Sequence, residues 1–119
     1  MGHSLGAQVI LSTIQSLAKH TKNKGIIESV YFFGGSIPND SLQPKNFSKN
    51  AENIVRRRIK NYYSPFDEVL RLANNENWLS TPIGYKGCIG KVTSKYSQIL
   101  VKPKNHRFAS YAAVLRSFP

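Results

Sequence analysis

The chain has 119 residues, with 17 Lys and Arg against 6 Asp and Glu, which gives a formal net charge of +11. This length allows one domain with a sizeable core, and no apolar stretch approaches the length of a membrane span. The single cysteine, Cys88, excludes an intramolecular disulfide and a cysteine-based metal site, and it is compatible with a reducing, intracellular location.

The first element of the chain is a G-x-S-x-G motif, Gly2-His3-Ser4-Leu5-Gly6. This pattern is typical of the nucleophile elbow, a strained strand-to-helix turn that exposes a serine hydroxyl. The two glycines would let the backbone turn sharply beside the serine without Cβ clashes. The backbone N–H of Leu5 would donate a hydrogen bond to an oxyanion. The alternative is an ordinary Gly/Ser turn, and the elements that follow decide between the two.

Apolar residues at helical spacing follow the motif and predict an amphipathic helix that starts at the serine and stops by Gly25. Residues Ser29–Phe33 then predict a buried strand that ends at Gly34 and Gly35. Elbow, helix and strand thus occur in the order that a hydrolase requires. Only Met1 precedes the motif, so we expect the strand around Val30 to lie at an open edge of the sheet.

The middle of the chain contains two polar regions separated by a strand. Residues Asn39–Asn50 predict a surface loop, with a substrate-covering segment as the alternative. Residues Arg58–Tyr63 predict the strand. The region Asn74–Gly90 is predicted to be irregular, and its aromatic residues Trp78 and Tyr85 are expected to pack rather than to bind substrate.

A serine nucleophile needs a neighbouring base, and the chain offers three histidines. His3 adjoins the serine in the tight turn, so its side chain should point away from the hydroxyl. His20 lies roughly 24 Å along the predicted helix, at 1.5 Å per residue. His106 lies between a short predicted strand, Ser97–Val101, and a predicted helix, Phe108–Leu115. It is therefore the candidate base, with a solvated loop histidine as the alternative.

Six acidic residues could orient that histidine, and their places in the chain narrow the choice. Asp67 follows the predicted strand and opens a short predicted helix over Glu68–Leu72. An acid there can also cap the first helix amides, which is the alternative interpretation. Asp40 follows the preceding strand and is the reserve acid. The order Ser4, Asp67, His106 is the serine, acid, histidine order of α/β-hydrolases.

The stretches that carry these residues resemble a little-characterised α/β-hydrolase family related to transmembrane and coiled-coil domain-containing protein 4. One stretch resembles that family's strand, Asn-x-Tyr-Ser turn, Asp and following Leu. The resemblance covers most of the chain but only the C-terminal half of the family's hydrolase domain. The matching stretches are Gly2–Ile10, Val30–Pro38, Arg58–Leu70, Pro82–Gly84 and His106.

This resemblance implies a partial α/β-hydrolase fold over residues 1–119, with about three parallel strands, flanking helices and no strands before the elbow. It implies a catalytic triad of Ser4, Asp67 and His106. The implied activity is that of an esterase or lipase acting on an acyl ester or lipid-like substrate, without a cofactor or metal. The chain departs from the family in having Ser36 where Ala is typical. It also has no counterpart of the loop that supplies the second oxyanion donor.

Other functions stay open at this point. The chain could be a catalytically inactive hydrolase fragment that needs a missing N-terminal half, or a second copy of itself, to cover its sheet edge. The positive charge could attract anionic partners, including a membrane surface, and would then make the chain a basic binding module. Nucleic-acid binding is not expected as the main function, because the one basic run, Arg56-Arg57-Arg58, fits a solvated strand face.

Overall fold

The computed structural model describes residues 1–75 and 80–119. They form a single sheet of four parallel strands whose order in space is the order in the chain. The strands are β1 (Gly2–His3), β2 (Ile27–Phe33), β3 (Val55–Tyr63) and β4 (Tyr96–Leu100). The helices are α1 (Gly6–Leu17), α2 (Ser48–Ile54), α3 (Glu68–Asn75), α4 (Ile83–Lys86) and α5 (Phe108–Ala113), with a 3₁₀ turn at Thr21–Asn23. The predicted α/β class is confirmed.

The parallel register brings the carboxyl ends of the strands to one edge of the sheet. His3 is aligned with Phe33, Phe33 with Tyr62, and Tyr62 with Ile99. The segments that follow the four strands therefore start side by side. This is the edge at which parallel sheets build their ligand and catalytic sites.

Two apolar clusters hold the sheet, one on each face, because successive strand side chains point to opposite sides. The larger cluster packs α1 and α2 against one face of β2 and β3. Its buried members are Ala7, Leu11, Ile14, Val30, Phe32, Ile37, Leu42, Ala51, Ile54, Val55, Ile59 and Ile83. The smaller cluster places α5 on the other face and consists of Phe33, Tyr62, Val101 and Tyr111.

The expectation that the strand around Val30 forms an open sheet edge holds for most of that strand. This residue belongs to β2, which pairs with β3 along its length but with β1 only at Phe32 and Phe33, so within residues 1–75 and 80–119 Val30 has no strand partner on the β1 side. Although β1 has only two residues, the pairing continues past it, since the Ser4 N–H donates to the Phe33 carbonyl at 3.1 Å. Within residues 1–75 and 80–119, the edges of the sheet are β1 and β4.

Two short helices replace parts of the regions predicted to be irregular. Helix α2 begins at Ser48, inside the predicted loop, and buries only Ala51 and Ile54, too few apolar residues to give a helical pattern. Helix α4 has four residues and forms within the second region. Tyr85 lies in α4 and is buried, as its packing role predicted. The prediction for Trp78 lies outside the described residues.

The basic run of β3 lies on an exposed part of the strand. Arg57 and Arg56 are 3.1 Å and 3.5 Å from the carboxylate of Glu28 on the adjacent β2. Hydrogen bonding to Arg57, together with the charges of both guanidinium groups, lowers the pKa of Glu28. Two of the three arginines thus have an acidic partner, in keeping with a solvated strand face.

None of the helices in the described part of the chain is long and apolar enough to cross a bilayer.

Candidate active site

The predicted elbow is a tight turn between β1 and α1. Ser4 has a φ of 54°, and it is the one non-glycine residue of the described chain with a positive φ. This left-handed conformation costs an ordinary residue about 1–2 kcal/mol. Neighbouring backbone groups hold it, since the Ser4 carbonyl accepts hydrogen bonds from the N–H groups of Ala7 (3.2 Å) and Ser36 (3.0 Å). The serine is therefore fixed in a strained turn at the start of a helix.

The two glycines of the motif differ in the space that a side chain would have at their positions. A Cβ on Gly2 would lie 2.6 Å from the Ile10 side chain and 2.9 Å from the backbone of Gly6, so Gly2 has no room for a side chain. A Cβ on Gly6 would meet nothing within 4 Å apart from adjacent helix backbone. The Cβ clash expected at Gly6 is therefore absent, and the close contact between these two residues restricts the side chain at position 2 alone.

The three residues Ser4, His106 and Asp67 form a hydrogen-bonded series at the carboxyl edge of the sheet. The Ser4 hydroxyl lies 2.9 Å from His106 Nε2. His106 Nδ1 lies 2.6 Å from Asp67 Oδ2. The His106 side chain is 15% exposed and the Asp67 side chain is fully buried. With the proton on Nδ1, His106 donates to Asp67 and accepts from Ser4.

Asp67 combines the two roles that the sequence offered as alternatives. Its Oδ1 accepts the N–H of Leu70 at 3.1 Å in the first turn of α3, and its Oδ2 faces His106. The Tyr111 hydroxyl donates to the same Oδ2 at 2.6 Å. Burial alone would raise the pKa of Asp67, but the hydrogen bonds from His106, Tyr111 and Leu70 outweigh it and hold this pKa below the ordinary value. The carboxylate is thus kept ionised.

The reserve acid, Asp40, is paired with a lysine and not with the histidine. It follows β2 in the chain, is partly exposed, and its carboxylate is 3.9 Å from Lys45 Nζ. Among the described residues, the carboxylate that reaches His106 is that of Asp67. The structure therefore brings Asp67, and not Asp40, to the histidine.

The other two histidines differ sharply in their surroundings. His20 is exposed and lies between α1 and the 3₁₀ turn. His3 packs its ring against that of His106, with centroids 4.8 Å apart, and its Nε2–H donates to the His106 carbonyl. Sequence reasoning missed this contact. The one indication of this contact in the sequence is that His3 ends the first strand. The loops after the other strands begin at the same edge of the sheet.

Tyr111 was also missed as a member of the site. It lies in the predicted helix Phe108–Leu115, and the structure buries it fully. Its distance from His106, five residues along the chain, was the available signal. A residue in the first turns of α5 can reach back toward the loop that precedes the helix.

The predicted oxyanion donor lies at the N-terminal end of α1. Leu5 is the residue immediately before the helix, where backbone N–H groups have no intrahelical partner. Within residues 1–75 and 80–119, no acceptor takes the Leu5 N–H. This group is thus available beside the Ser4 hydroxyl, and the helix dipole favours negative charge there.

The stretch Pro82–Gly84 is hydrogen-bonded to the segment that follows β2. The N–H of Ile83 donates to the Ile37 carbonyl at 2.8 Å, and that of Gly84 to the Gly35 carbonyl at 2.9 Å. A Cβ on Gly84 would lie 2.3 Å from the backbone of Gly34 and Gly35. Only glycine permits this backbone-to-backbone contact.

Two further observations concern metal binding and the single cysteine. The described residues contain no group of three or more His, Cys, Asp or Glu side chains placed to hold a metal ion. Cys88 is a free thiol, and burial raises its pKa to about 11.

Comparison with known proteins gives few relatives, and no solved structure matches the chain. An uncharacterized membrane protein of Caenorhabditis elegans is 35% identical over 71 residues, which cover 60% of this chain and 11% of that protein. The chain thus corresponds to a small part of this relative. Residues 1–87, which include Ser4 and Asp67 but not His106, match the family described as "Protein of unknown function (DUF726)". The chain belongs to the DUF726 family.

Proposed function

We propose that this chain carries the nucleophile, base and acid of a serine hydrolase of the esterase or lipase type. The observation that supports the proposal most directly is the hydrogen-bonded series from Ser4 Oγ through His106 to Asp67, with distances of 2.9 Å and 2.6 Å. The strained backbone of Ser4 supports it independently, because a nucleophile elbow requires that conformation. The resemblance to an α/β-hydrolase family rests on the same residues.

The proposed reaction follows from these contacts. His106 Nε2 takes the proton of the Ser4 hydroxyl as Oγ bonds to the carbonyl carbon of an ester. Asp67 holds the imidazole in the tautomer that accepts this proton and stabilises the imidazolium. When the carbon–oxygen bond to the alcohol breaks, His106 returns the proton to the alcohol. Water then attacks the acyl-serine by the same route, releasing the acid and restoring Ser4.

The oxyanion that forms in each step needs hydrogen-bond donors. The Leu5 N–H at the start of α1 is the donor that we assign to it. One such donor commonly contributes a factor of about 10²–10³ to the rate. A second donor would add a comparable factor, and in related folds a loop before the elbow supplies it.

The proposed substrate is an ester with an apolar acyl group. Leu5, which follows the nucleophile, is 64% exposed, and Phe66, which precedes the acid, is 58% exposed. Apolar side chains beside a catalytic series suit an acyl chain better than a charged one. The C. elegans relative is described as a membrane protein, which fits a lipid-like ester.

A fluorophosphonate probe tests the proposal, since it reacts covalently with activated serines. We expect one probe per chain, attached to Ser4, by intact-mass and peptide analysis. Ser4→Ala should abolish labelling. Ser16→Ala is the matched control, because Ser16 is an exposed serine of α1, the helix that follows Ser4. Equal labelling of the Ser4→Ala chain, or no labelling of a folded wild-type chain, would contradict the proposal.

The base and acid can be tested in the same assay. His106→Ala and Asp67→Asn should each slow labelling by several orders of magnitude, as expected for triad members. Asp40→Asn should react at the wild-type rate. An unlabelled but folded chain that is retained on heparin in a salt-dependent way would instead indicate the basic binding module.

A further inference from the structure

A buried tyrosine completes the hydrogen-bond shell of the proposed acid. Tyr111 of α5 has no exposed surface, and its hydroxyl donates to Asp67 Oδ2 at 2.6 Å. The same oxygen accepts from His106 Nδ1, and the other oxygen accepts from Leu70. The carboxylate is thus held by three donors from three different segments of the chain.

The end of β2 is shaped around that hydroxyl. Gly34 has a φ of +54°, and a Cβ at this position would lie 2.8 Å from the Tyr111 hydroxyl oxygen and 2.9 Å from its Cζ. A side chain at position 34 would therefore displace the phenol from Asp67. The positive φ and the close contact both call for glycine here. The strand end leaves a space into which the tyrosine hydroxyl fits.

We propose that Tyr111 is a positioning residue that holds the Asp67 carboxylate in the orientation that faces His106. The inference deepens the proposed hydrolase function and rests on it. A carboxylate buried without donors would take up a proton or rotate away, and either event would leave His106 without its orienting partner. The Leu70 N–H holds only Oδ1, so Tyr111 is the contact, besides His106 itself, that fixes Oδ2.

The tyrosine is suited to this role as a permanent donor. Burial, and then the hydrogen bond to Asp67 and its negative charge, raise the pKa of Tyr111. The hydroxyl therefore keeps its proton throughout the neutral pH range. Its ring packs with Phe33, Tyr62 and Val101, so the hydroxyl has little freedom to leave Asp67.

Tyr111→Phe tests the inference, because it removes the hydroxyl and keeps the ring. Tyr62→Phe is the matched control, since Tyr62 is 5% exposed in the same cluster and stacks on Phe33 at 4.9 Å. Carboxyl titration by NMR of chain labelled with ¹³C-aspartate should show a higher Asp67 pKa in Tyr111→Phe and no change in Tyr62→Phe. The rate of fluorophosphonate labelling should fall about tenfold to a hundredfold, which corresponds to the usual contribution of a hydrogen bond to a charged group.

A double-mutant cycle separates positioning from packing. In an Asp67→Asn background, Tyr111→Phe should have little further effect on labelling, because the two residues act together. An unchanged Asp67 pKa in Tyr111→Phe would overturn the inference. So would an equal loss of rate in both backgrounds, which would show that Tyr111 acts through packing. If the folded wild-type chain does not react with the probe, the proposed function fails, whereas the titration still decides whether Tyr111 holds Asp67.

Discussion

At the scale of single residues, the site depends on groups that surround the proposed triad. His3 lies one position before Ser4, the proposed nucleophile, yet it packs its ring on that of His106 at 4.8 Å and donates a hydrogen bond to the His106 carbonyl. Because His106 is on a loop, this contact helps to fix its backbone. The histidine beside the serine thus contacts the proposed base, His106, and its imidazole is placed to orient that residue.

We therefore expect His3→Ala to slow fluorophosphonate labelling about threefold to tenfold, the weight of one neutral hydrogen bond. His3→Gln, which keeps an N–H donor, should restore part of the loss. His20→Ala is the control, since His20 is exposed and lies beyond the far end of α1. Second-order labelling rates check the prediction, and a wild-type rate for His3→Ala would contradict it.

The lowered pKa of Asp67 also predicts how stability depends on pH. In the unfolded chain an aspartate titrates near 3.9, and in the folded chain Asp67 titrates at lower pH. Its stabilising contribution is therefore fully present above the unfolded pKa and is lost as the pH falls through the folded pKa. Urea unfolding between pH 2 and 7 should show a smaller acid-induced loss in Asp67→Asn than in wild type. Asp40→Asn should lose stability on acidification as the wild type does.

At the scale of elements, most of the sheet and α1 could be predicted, because each carries a strong periodic pattern or a motif. The β2, β3 and β4 predictions differ from the structure by one to three residues at their ends. Helices α2 and α4 could not be found this way. The first buries two side chains, and the second is held by backbone hydrogen bonds to residues far away in sequence. Such contacts leave no periodic signal.

The candidate site likewise contains residues that could be predicted from the sequence and contacts that could not. The triad residues could be proposed from a motif, a count of histidines and the order along the chain. The contacts of His3 and Tyr111 could not, because they arise only when α5 packs on the sheet. The buried amide of Asn61, which donates to the Ile83 carbonyl at 3.0 Å and to Tyr96 at 2.9 Å, is another case. A polar residue inside a strand pattern gives no indication of its partners.

The packing of α4 on the strand ends gives a prediction at this scale. Gly84→Ala would place a Cβ 2.3 Å from the backbone of Gly34 and Gly35, a contact that backbone atoms cannot relieve cheaply. We expect a loss of about 1–3 kcal/mol or more in the free energy of unfolding. Gly6→Ala is the matched control, because its Cβ meets open space in a helix, where alanine gains up to about 1 kcal/mol over glycine. Urea denaturation measures both, and equal stability of the two variants would contradict the prediction.

At the scale of the whole molecule, the net charge and the exposed edge of the sheet have opposite effects on association between copies of the chain. Strand β4 is an edge of the described sheet, and it exposes 43% of Ile99 and 44% of Leu100. An exposed apolar edge strand favours pairing with another chain. The formal charge of +11 opposes that pairing through repulsion between copies. Which of the two dominates depends on salt, because ions screen the repulsion but leave the apolar contact in place.

We therefore expect the chain to be largely monomeric at low ionic strength and to self-associate as salt is added. Sedimentation velocity at about 10 mM and 500 mM salt, where the Debye length falls from about 30 Å to below 8 Å, measures the change. Ile99→Lys should suppress the association by placing a charge on the β4 edge. Val9→Lys adds the same charge on the exposed face of α1, where Val9 is 66% exposed, and should leave association intact. If both variants suppress it equally, net charge alone controls assembly and the β4 edge has no part in it.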